Sequence, residues 1–570
     1  MNFASNQGVN PSIFRVNLHT FAPSHPLGVK PSGNALMADC LKKLENQRQR
    51  QLGKFGVFPE NVLTHLLSFI DNPRDLLSLG HTSRVFYAYT YNEELWRRLY
   101  IEEFVSLEEN TAEASTQISP FASSKWRGSW RKTVLKVDQE ALVKVNDLVF
   151  SDHLYRPYQC SQIDFEHLFR KVIEFQVSLK DLGPSWSPTF GVQRLDEMKL
   201  TLDEFEKHFI DIPFILQNHS NPKRWPEWSL ETLVEGFGSV KFRQEAVKWS
   251  LSFYADYFKQ NCDESPLYLF DCSSRAIKTL KQEYEAPIIF QNDLFKVFEN
   301  ADTQCRPDHR WLIAGPQGSG STFHKDPNYT SAWNTVLTGK KLWIMFPPDV
   351  KPPGISTDEE EDEVTSPVGV AEWILSGFYN DALTLAQDGK CRIAVTFPGD
   401  CIYVPSGWWH SVINLTDSVA LTENFVPAPT LPKILLFLKS KRKQLSGFHL
   451  HDIMLAATKF LEKRGIFGNQ ESEDNFMKLE NFLSTEMADA IDNRDCGLSE
   501  AASELPIFEF FVELLRSSKF EPMLEDALKK MKALESEEAK KRHKQVKVSD
   551  RWTSLAADSN NGFSFSLSLE

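Results

Sequence analysis

The chain has 570 residues, 41% hydrophobic and 12% aromatic, enough to bury a sizeable core in more than one domain. Its 63 Lys and Arg stand against 77 Asp and Glu, a net charge of −14, so binding to nucleic acid through bulk positive charge is excluded and no direct nucleic-acid binding is expected. None of the eight cysteines, at 40, 160, 262, 272, 305, 391, 401 and 496, forms a C-x-x-C pair, which reads as reduced thiols of an intracellular protein.

The N-terminal MNFASNQGVN lacks the apolar core of a signal peptide, and no apolar run is long enough to span a bilayer, so no membrane is expected. Residues 1–54 read as a disordered or partly helical tail, with a short polar helix in LMADCLKKLENQRQRQL at 36–52. From 55 to 101 the texture changes. Val62, Leu63, Leu66, Leu67 and Ile70 form one helical stripe, and Leu76, Leu77 and Leu79 a second. Val85, Phe86, Leu95, Trp96 and Leu99 continue it. Pro59 and Pro73 sit at helix starts, where a missing N–H is harmless. About three short helices are expected, with apolar surface left for a partner.

This stretch resembles an F-box: a Pro-initiated Leu/Ile helix, then "RDLLSL", "SRVF" and "LWRRLY". It departs at Phe58, where Leu usually precedes the Pro, and at Gly80 in the middle helix. An ordinary helical hairpin is the plain alternative. The resemblance implies binding to the Skp1 adaptor of cullin ubiquitin ligases.

Residues 102–190 read as a helical connecting region, closed by Pro184, Pro188 and Gly191. From 191 to 431 the pattern is mixed. A helix and apolar strand are expected in LTLDEFEKHFIDIPFIL, and a helix ended by Gly236 and Gly238 in WSLETLVEGFGSVKF. Strand-like runs then recur between turns: PLYLF, RWLIAG, SAWNTVLTG, KKLWIMFPP, DCIYVPSG, WWHSVINLTD and SVALTENFV. Such runs suggest a sandwich or barrel. Residues 432–550 are helical again, though ALKKMKALESEEAKKRHKQVK reads as too polar for a core, and 551–570 read as a disordered tail.

On these strands His324 and Asp326 in TFHKDP share a face by strand alternation, and His410 opens the strand after PSG. Two imidazoles and one carboxylate are the facial triad that suits Fe(II), whereas zinc more often takes Cys or a third His. An H-x-D pair alone is a weak signal, and a lone strand His is more often a satisfied core residue. Lys341 strengthens the case, since a Lys in so apolar a run needs an anionic partner; Lys340 beside it reads as solvated. Thr422 and Asn424 keep the parity of His410 and Asn414. A dicarboxylic 2-oxo acid fits this layout, chelating the metal at one end and reaching Lys341, Thr422 and Tyr268 at the other.

Residues from about 195 to 430 resemble a JmjC domain, closest to the lysyl-hydroxylase group once named phosphatidylserine receptors. The resemblance rests on DESPLYLFD, RWLIAGPQGSGSTFHKDPNYTSAWNTVLTGKKLWIMFPP and FPGDCIYVPSGWWHSVINLTDSVALTENFV. It implies iron ligands at His324, Asp326 and His410, which are also the catalytic residues, and 2-oxoglutarate contacts at Tyr268, Ser321, Asn334, Lys341 and Thr422. Asn414 and Asn424 are further candidates for the pocket lining. The implied cofactors are Fe(II), 2-oxoglutarate as co-substrate and O₂; the implied reaction hydroxylates or demethylates a side chain. Trp408 and Trp409 read as packing aromatics.

Outside the site, the acidic DEEEDE at 358–363 reads as a solvated insertion or as an attractant for a basic peptide. KSKRK (439–443) and KKRHK (540–544) could serve nuclear import or simply lie on helix surfaces. GPQGSGS (315–321) lacks the Lys of a phosphate loop and reads as a tight strand connection. The fold expected is therefore α+β and multidomain, a double-stranded β-helix behind an F-box-like module and before C-terminal helices. The expected function is an iron- and 2-oxoglutarate-dependent dioxygenase acting on Lys or Arg of a basic nuclear protein such as a histone, in the nucleus and also the cytoplasm. A ubiquitin-ligase receptor with a binding-only barrel and a zinc-loaded structural cupin are the rivals.

Overall fold

The computed structural model describes residues 11–17, 25–31, 47–111, 125–179, 191–221, 223–299, 304–358, 361, 364–366, 368–462, 473–483 and 505–557. Most of the 36–52 helix, four of the six residues of DEEEDE, and 558–570 lie outside them. Two compact units emerge. One comprises residues up to Ile289 with His309–Asp326 and Ser331–Asn424; the other comprises Phe290–Asp308, Pro327–Thr330 and the chain from Phe425 on. Among the described residues no helix is long and apolar enough to cross a membrane.

In the first unit the F-box-like stretch forms α1 (Glu60–Leu67), α2 (Pro73–Gly80), α3 (Arg84–Thr90) and α4 (Glu93–Thr111). The sequence suggested about three helices. The fourth starts because Asn92 Oδ1 accepts the Glu94 N–H at 3.2 Å, capping a new helix where the last stripe looked continuous. The Asn72 side chain caps α2 directly before Pro73, and Ser83 caps α3. Helix α4 and α5 (Trp130–Leu135) join this module to the strands through Asp263. That buried carboxylate accepts from Trp130 Nε1 at 2.9 Å and Tyr257 Oη at 2.6 Å, with Arg97 Nη1 at 3.7 Å.

The strands are β1 (Gln193–Asp196), β2 (Phe214–Gln217), β3 (Lys241–Gln244), β4 (Val247–Ser250), β5 (Leu269–Asp271), β6 (Arg310–Gly315), β7 (Gly320–His324) and β8 (Ser331–Thr338). They continue with β9 (Lys341–Phe346), β10 (Ser356–Thr357), β11 (Val364–Thr365), β12 (Arg392–Thr396), β13 (Cys401–Val404), β14 (Trp409–Asn414) and β15 (Ser418–Phe425). A nine-stranded sheet runs β1-β2-β13-β8-β15-β6-β5-β3-β4, and a four-stranded sheet runs β12-β9-β14-β7. Alternation along β9 divides its side chains. Trp343 and Met345 join Ala394, Val412, Ile215, Ala332, Ile402 and Val404 in the core between the sheets. Leu342, Ile344 and Phe346 face outward under Trp373 and Ile374 of α6 (Val370–Leu375) and Tyr379 and Leu383 of α7 (Phe378–Gln387). This is the double-stranded β-helix. Strand β12 and both covering helices went unread in the sequence.

In the second unit α8 (Leu431–Ser440), α9 (Leu450–Glu462), the helix at 473–483, α10 (Ile507–Arg516) and α11 (Glu521–Ala557) share one apolar core. Two expectations are corrected. Ala527, Leu528 and Met531 of ALKKMKALE are buried there, because their i, i+1, i+4 spacing sets an apolar stripe among the lysines. Helix α11 also continues through 551–557, the start of the expected tail. Within KSKRK, Lys439 pairs with Glu535 at 2.8 Å and Arg442 with Glu509 at 3.0 Å.

Candidate active site

Strand β7 pairs with β14 so that His324 faces His410 and Ser321 faces Val412, with a register shift between the two pairs. That bulge sets the site. Residues 321 and 324 have opposite parity and would point to opposite faces of a regular strand. The extra residue puts both on the inner face, where Val412 lies. Gly320 is required beside it, since a Cβ there would lie 1.9 Å from the Val412 carbonyl oxygen.

The ligand atoms of His324, Asp326 and His410 all lie within 4.8 Å of one another, and the two imidazole centroids are 4.2 Å apart. Strand β7 ends at His324, so Asp326 reaches the group from the loop beyond and not by strand alternation. His324 Nδ1 is 2.8 Å from the Thr322 carbonyl and His410 Nδ1 is 3.2 Å from that of Trp408. Each carbonyl holds a proton on Nδ1 and leaves Nε2 as a free lone pair. Burial, then the neighbouring His324, lowers the pKa of His410 to about 4, keeping it neutral. Asp326 Oδ2 is buried with no hydrogen-bond partner. Two imidazoles that present Nε2 and an unsatisfied carboxylate suit Fe(II) better than zinc.

Lys341 lies fully buried at the inner face of β9, hydrogen-bonded to Tyr268 Oη and Asn414 Oδ1, both at 2.8 Å. Both partners are neutral, and burial alone brings the ammonium down from 10.5 to about 7. Asn414, read from sequence only as lining, is therefore a direct partner of this lysine. Its Nδ2 donates to Ser319 Oγ at 2.9 Å, and Ser319 was missed entirely. The one signal for Ser319 was the extra serine in GPQGSGS. Asn334 on β8 is buried with Oδ1 unpartnered. Thr422 Oγ1 donates to the Trp333 carbonyl at 2.8 Å, so its proton is committed to the neighbouring strand. Asn424 engages its backbone N–H with His309. Lys340, expected in solvent, pairs with Glu166 at 2.5 Å. Trp408 packs between the sheets and Trp409 on the outer face, both as packing aromatics.

A family model for a cupin-like domain matches residues 222–430, and one for an F-box-like domain matches 56–102. The arginine-specific demethylase JMJ22 of Arabidopsis thaliana is 32% identical over 452 residues, 76% of this chain and 80% of that protein. The bifunctional arginine demethylase and lysyl-hydroxylase psr-1 of Caenorhabditis briggsae is 35% identical over 258 residues, 42% of this chain and 63% of its own. The 2-oxoglutarate and iron-dependent oxygenase JMJD4 of Mus musculus is 28% identical over 206 residues, 34% of this chain and 44% of its own. Barrel and relatives together define an iron- and 2-oxoglutarate-dependent oxygenase. The chain belongs to the JmjC family and carries an F-box-like module ahead of its cupin barrel.

Proposed function

We propose that His324, Asp326 and His410 hold the iron, that Tyr268, Ser321, Asn334, Lys341 and Thr422 line the 2-oxoglutarate site, and that the enzyme hydroxylates or demethylates Lys or Arg side chains of a basic nuclear protein such as a histone. The observation that carries this is the pairing of the His–Asp–His group with a buried lysine that has no carboxylate partner among the described residues. Bound iron, 2-oxoglutarate and O₂ would supply the oxidation: one atom of O₂ enters succinate as the keto acid loses CO₂, and the other enters a substrate C–H bond, releasing formaldehyde where that bond belongs to an N-methyl group.

The chain's own groups bind and orient. Lys341 supplies the cation for the far carboxylate, and Tyr268 and Asn414 fix its position. Thr422 joins by turning its hydroxyl from Trp333. Trp343, Met345, Val412 and Ile402 keep water from the space between the sheets. The relatives' names support the substrate class. So does Phe270 stacked on Trp311 at 5.2 Å, an aromatic surface on the strand face that carries Thr422 and suited to a cationic side chain. On the F-box module Val57, Val62, Leu66 and Phe69 are exposed, and we assign this apolar face to a Skp1-type adaptor.

The test is an anaerobic titration with Fe(II) and 2-oxoglutarate, expected to give a weak visible charge-transfer band that His324→Ala abolishes. Basic nuclear peptides should then gain about 16 Da or lose about 14 Da in a 2-oxoglutarate-dependent way. Zinc without iron in protein purified free of chelators would instead favour the structural cupin.

A further inference from the structure

The residue between the two proximal ligands points away from them. Lys325 turns to the outer face of the strand pair, where its Nζ lies 4.6 Å from the centroid of the Trp409 ring. Trp409 is the residue directly before His410, and its ring is buried in the outer core with Phe323 and Trp373. The same ammonium is 2.5 Å from Glu361 Oε2 and 3.5 Å from the Pro348 carbonyl. Glu361 sits in the connection of the β10–β11 hairpin, inside the acidic run whose sequence reads as a solvated insertion or as an attractant for a basic peptide. Behind the metal group, therefore, the immediate chain neighbours of all three ligands meet in one contact, and a hairpin outside the barrel sheets closes over it.

We propose that Lys325 and Glu361 are positioning residues that brace Asp326 and set its distance from His410; this rests on the reading of the triad as the metal site. The need for a brace follows from the fold. His324 and His410 are fixed by strand pairing and by their Nδ1 carbonyl partners. Asp326 has no such support. It lies beyond the last paired residue of β7, and its buried Oδ2 accepts no hydrogen bond. The Lys325 side chain holds the backbone immediately before Asp326, anchored by a ring on the distal ligand's strand and a carboxylate on the hairpin. A partly shielded ion pair over an aromatic face is stiffer than a surface pair, because each contact restricts the rotamers open to the other. Groups that orient metal ligands from behind commonly control metal affinity by about tenfold or more.

The experiment titrates Fe(II) anaerobically into full-length protein at saturating 2-oxoglutarate, following the charge-transfer absorbance, for wild type, Glu361→Gln, Lys325→Met and Lys325→Arg. Glu361→Gln and Lys325→Met should each weaken Fe(II) binding by about tenfold. Thermal unfolding of the metal-free protein should be nearly unchanged in Glu361→Gln, whose carboxylate is half-exposed, and Lys325→Arg should restore affinity. Wild-type affinity in both Glu361→Gln and Lys325→Met overturns the brace and leaves the triad standing. A normal Fe(II) titration with only the peptide KM raised in Glu361→Gln overturns it in favour of a substrate contact. Wild-type protein that binds no Fe(II) overturns the triad reading itself.

Discussion

The buried lysine makes a quantitative prediction. In the ligand-free protein Lys341 has a pKa of about 7, brought down by burial with no nearby anion to oppose it. A dicarboxylate bound beside it places a negative charge against the ammonium and raises that pKa again. Binding therefore takes up a proton wherever the free lysine is neutral and the bound one charged. The sign follows: affinity for 2-oxoglutarate is flat below about pH 7 and falls by up to tenfold per pH unit above it. Between roughly pH 6.5 and 8.5 the protonated fraction of a group with a pKa of about 7 drops from about 0.76 to about 0.03. That is about 25-fold in affinity, or about 1.9 kcal/mol. Isothermal titration calorimetry at saturating Mn(II), in two buffers of different ionisation enthalpy, measures both the affinity and the proton uptake. Lys341→Met should bind far more weakly at every pH and take up no proton. A flat wild-type profile, or one that survives in Lys341→Met, refutes the reasoning.

Two further outcomes separate binding from stability. Leu66 on α1 and Phe69 just beyond it are 38% and 66% exposed, whereas Leu63 on α1 is 1% exposed. Leu66→Asp with Phe69→Asp should abolish co-purification of a Skp1-type adaptor with unfolding shifted by less than about 0.5 kcal/mol per site; Leu63→Ala should cost about 2–5 kcal/mol. Asp263→Ala leaves Arg97 without its buried carboxylate and frees Trp130 Nε1, so it should cost about 3–5 kcal/mol and expose the segment between the F-box helices and the barrel to limited proteolysis. Unchanged melting and protease resistance would show that Asp263 does not hold the two together.

How much was legible in sequence depended on the period of each signal. The strands at 310–315, 341–346 and 418–425 were readable because apolar and β-branched residues run between Gly and Pro turns. Strand β12 went unread although it carries the same marks: RIAVT runs between the Asp388-Gly389 turn and the Pro398-Gly399 turn. The polar C-terminal helix hid its stripe: Leu524, Ala527, Leu528 and Met531, buried among charged residues, barely move a composition, although their spacing is helical. The acidic run left two readings open, a solvated insertion or an attractant for a basic peptide. Its side-chain contact from Glu361 to Lys325 joins residues 36 apart through a fold that no local pattern encodes.

The site itself shows where parity reasoning works and where it misleads. His410 and Asn414 are four apart on a regular strand, and Asn414 meets Lys341 across the register as alternation requires. His324 and Asp326 were paired by the same rule, yet the strand stops at His324, so the rule named the right residues for the wrong reason. Ser321 breaks the rule outright. Only the bulge opposite Ser411 lets a residue three before His324 share its face, and only Gly320 lets the chain pass close enough to Val412 for that bulge to form. A regular β7 would send either Ser321 or His324 to the outer face. The inner wall can then hold the metal-binding His or the serine of the proposed 2-oxoglutarate site, but not both, and the single extra residue removes that choice.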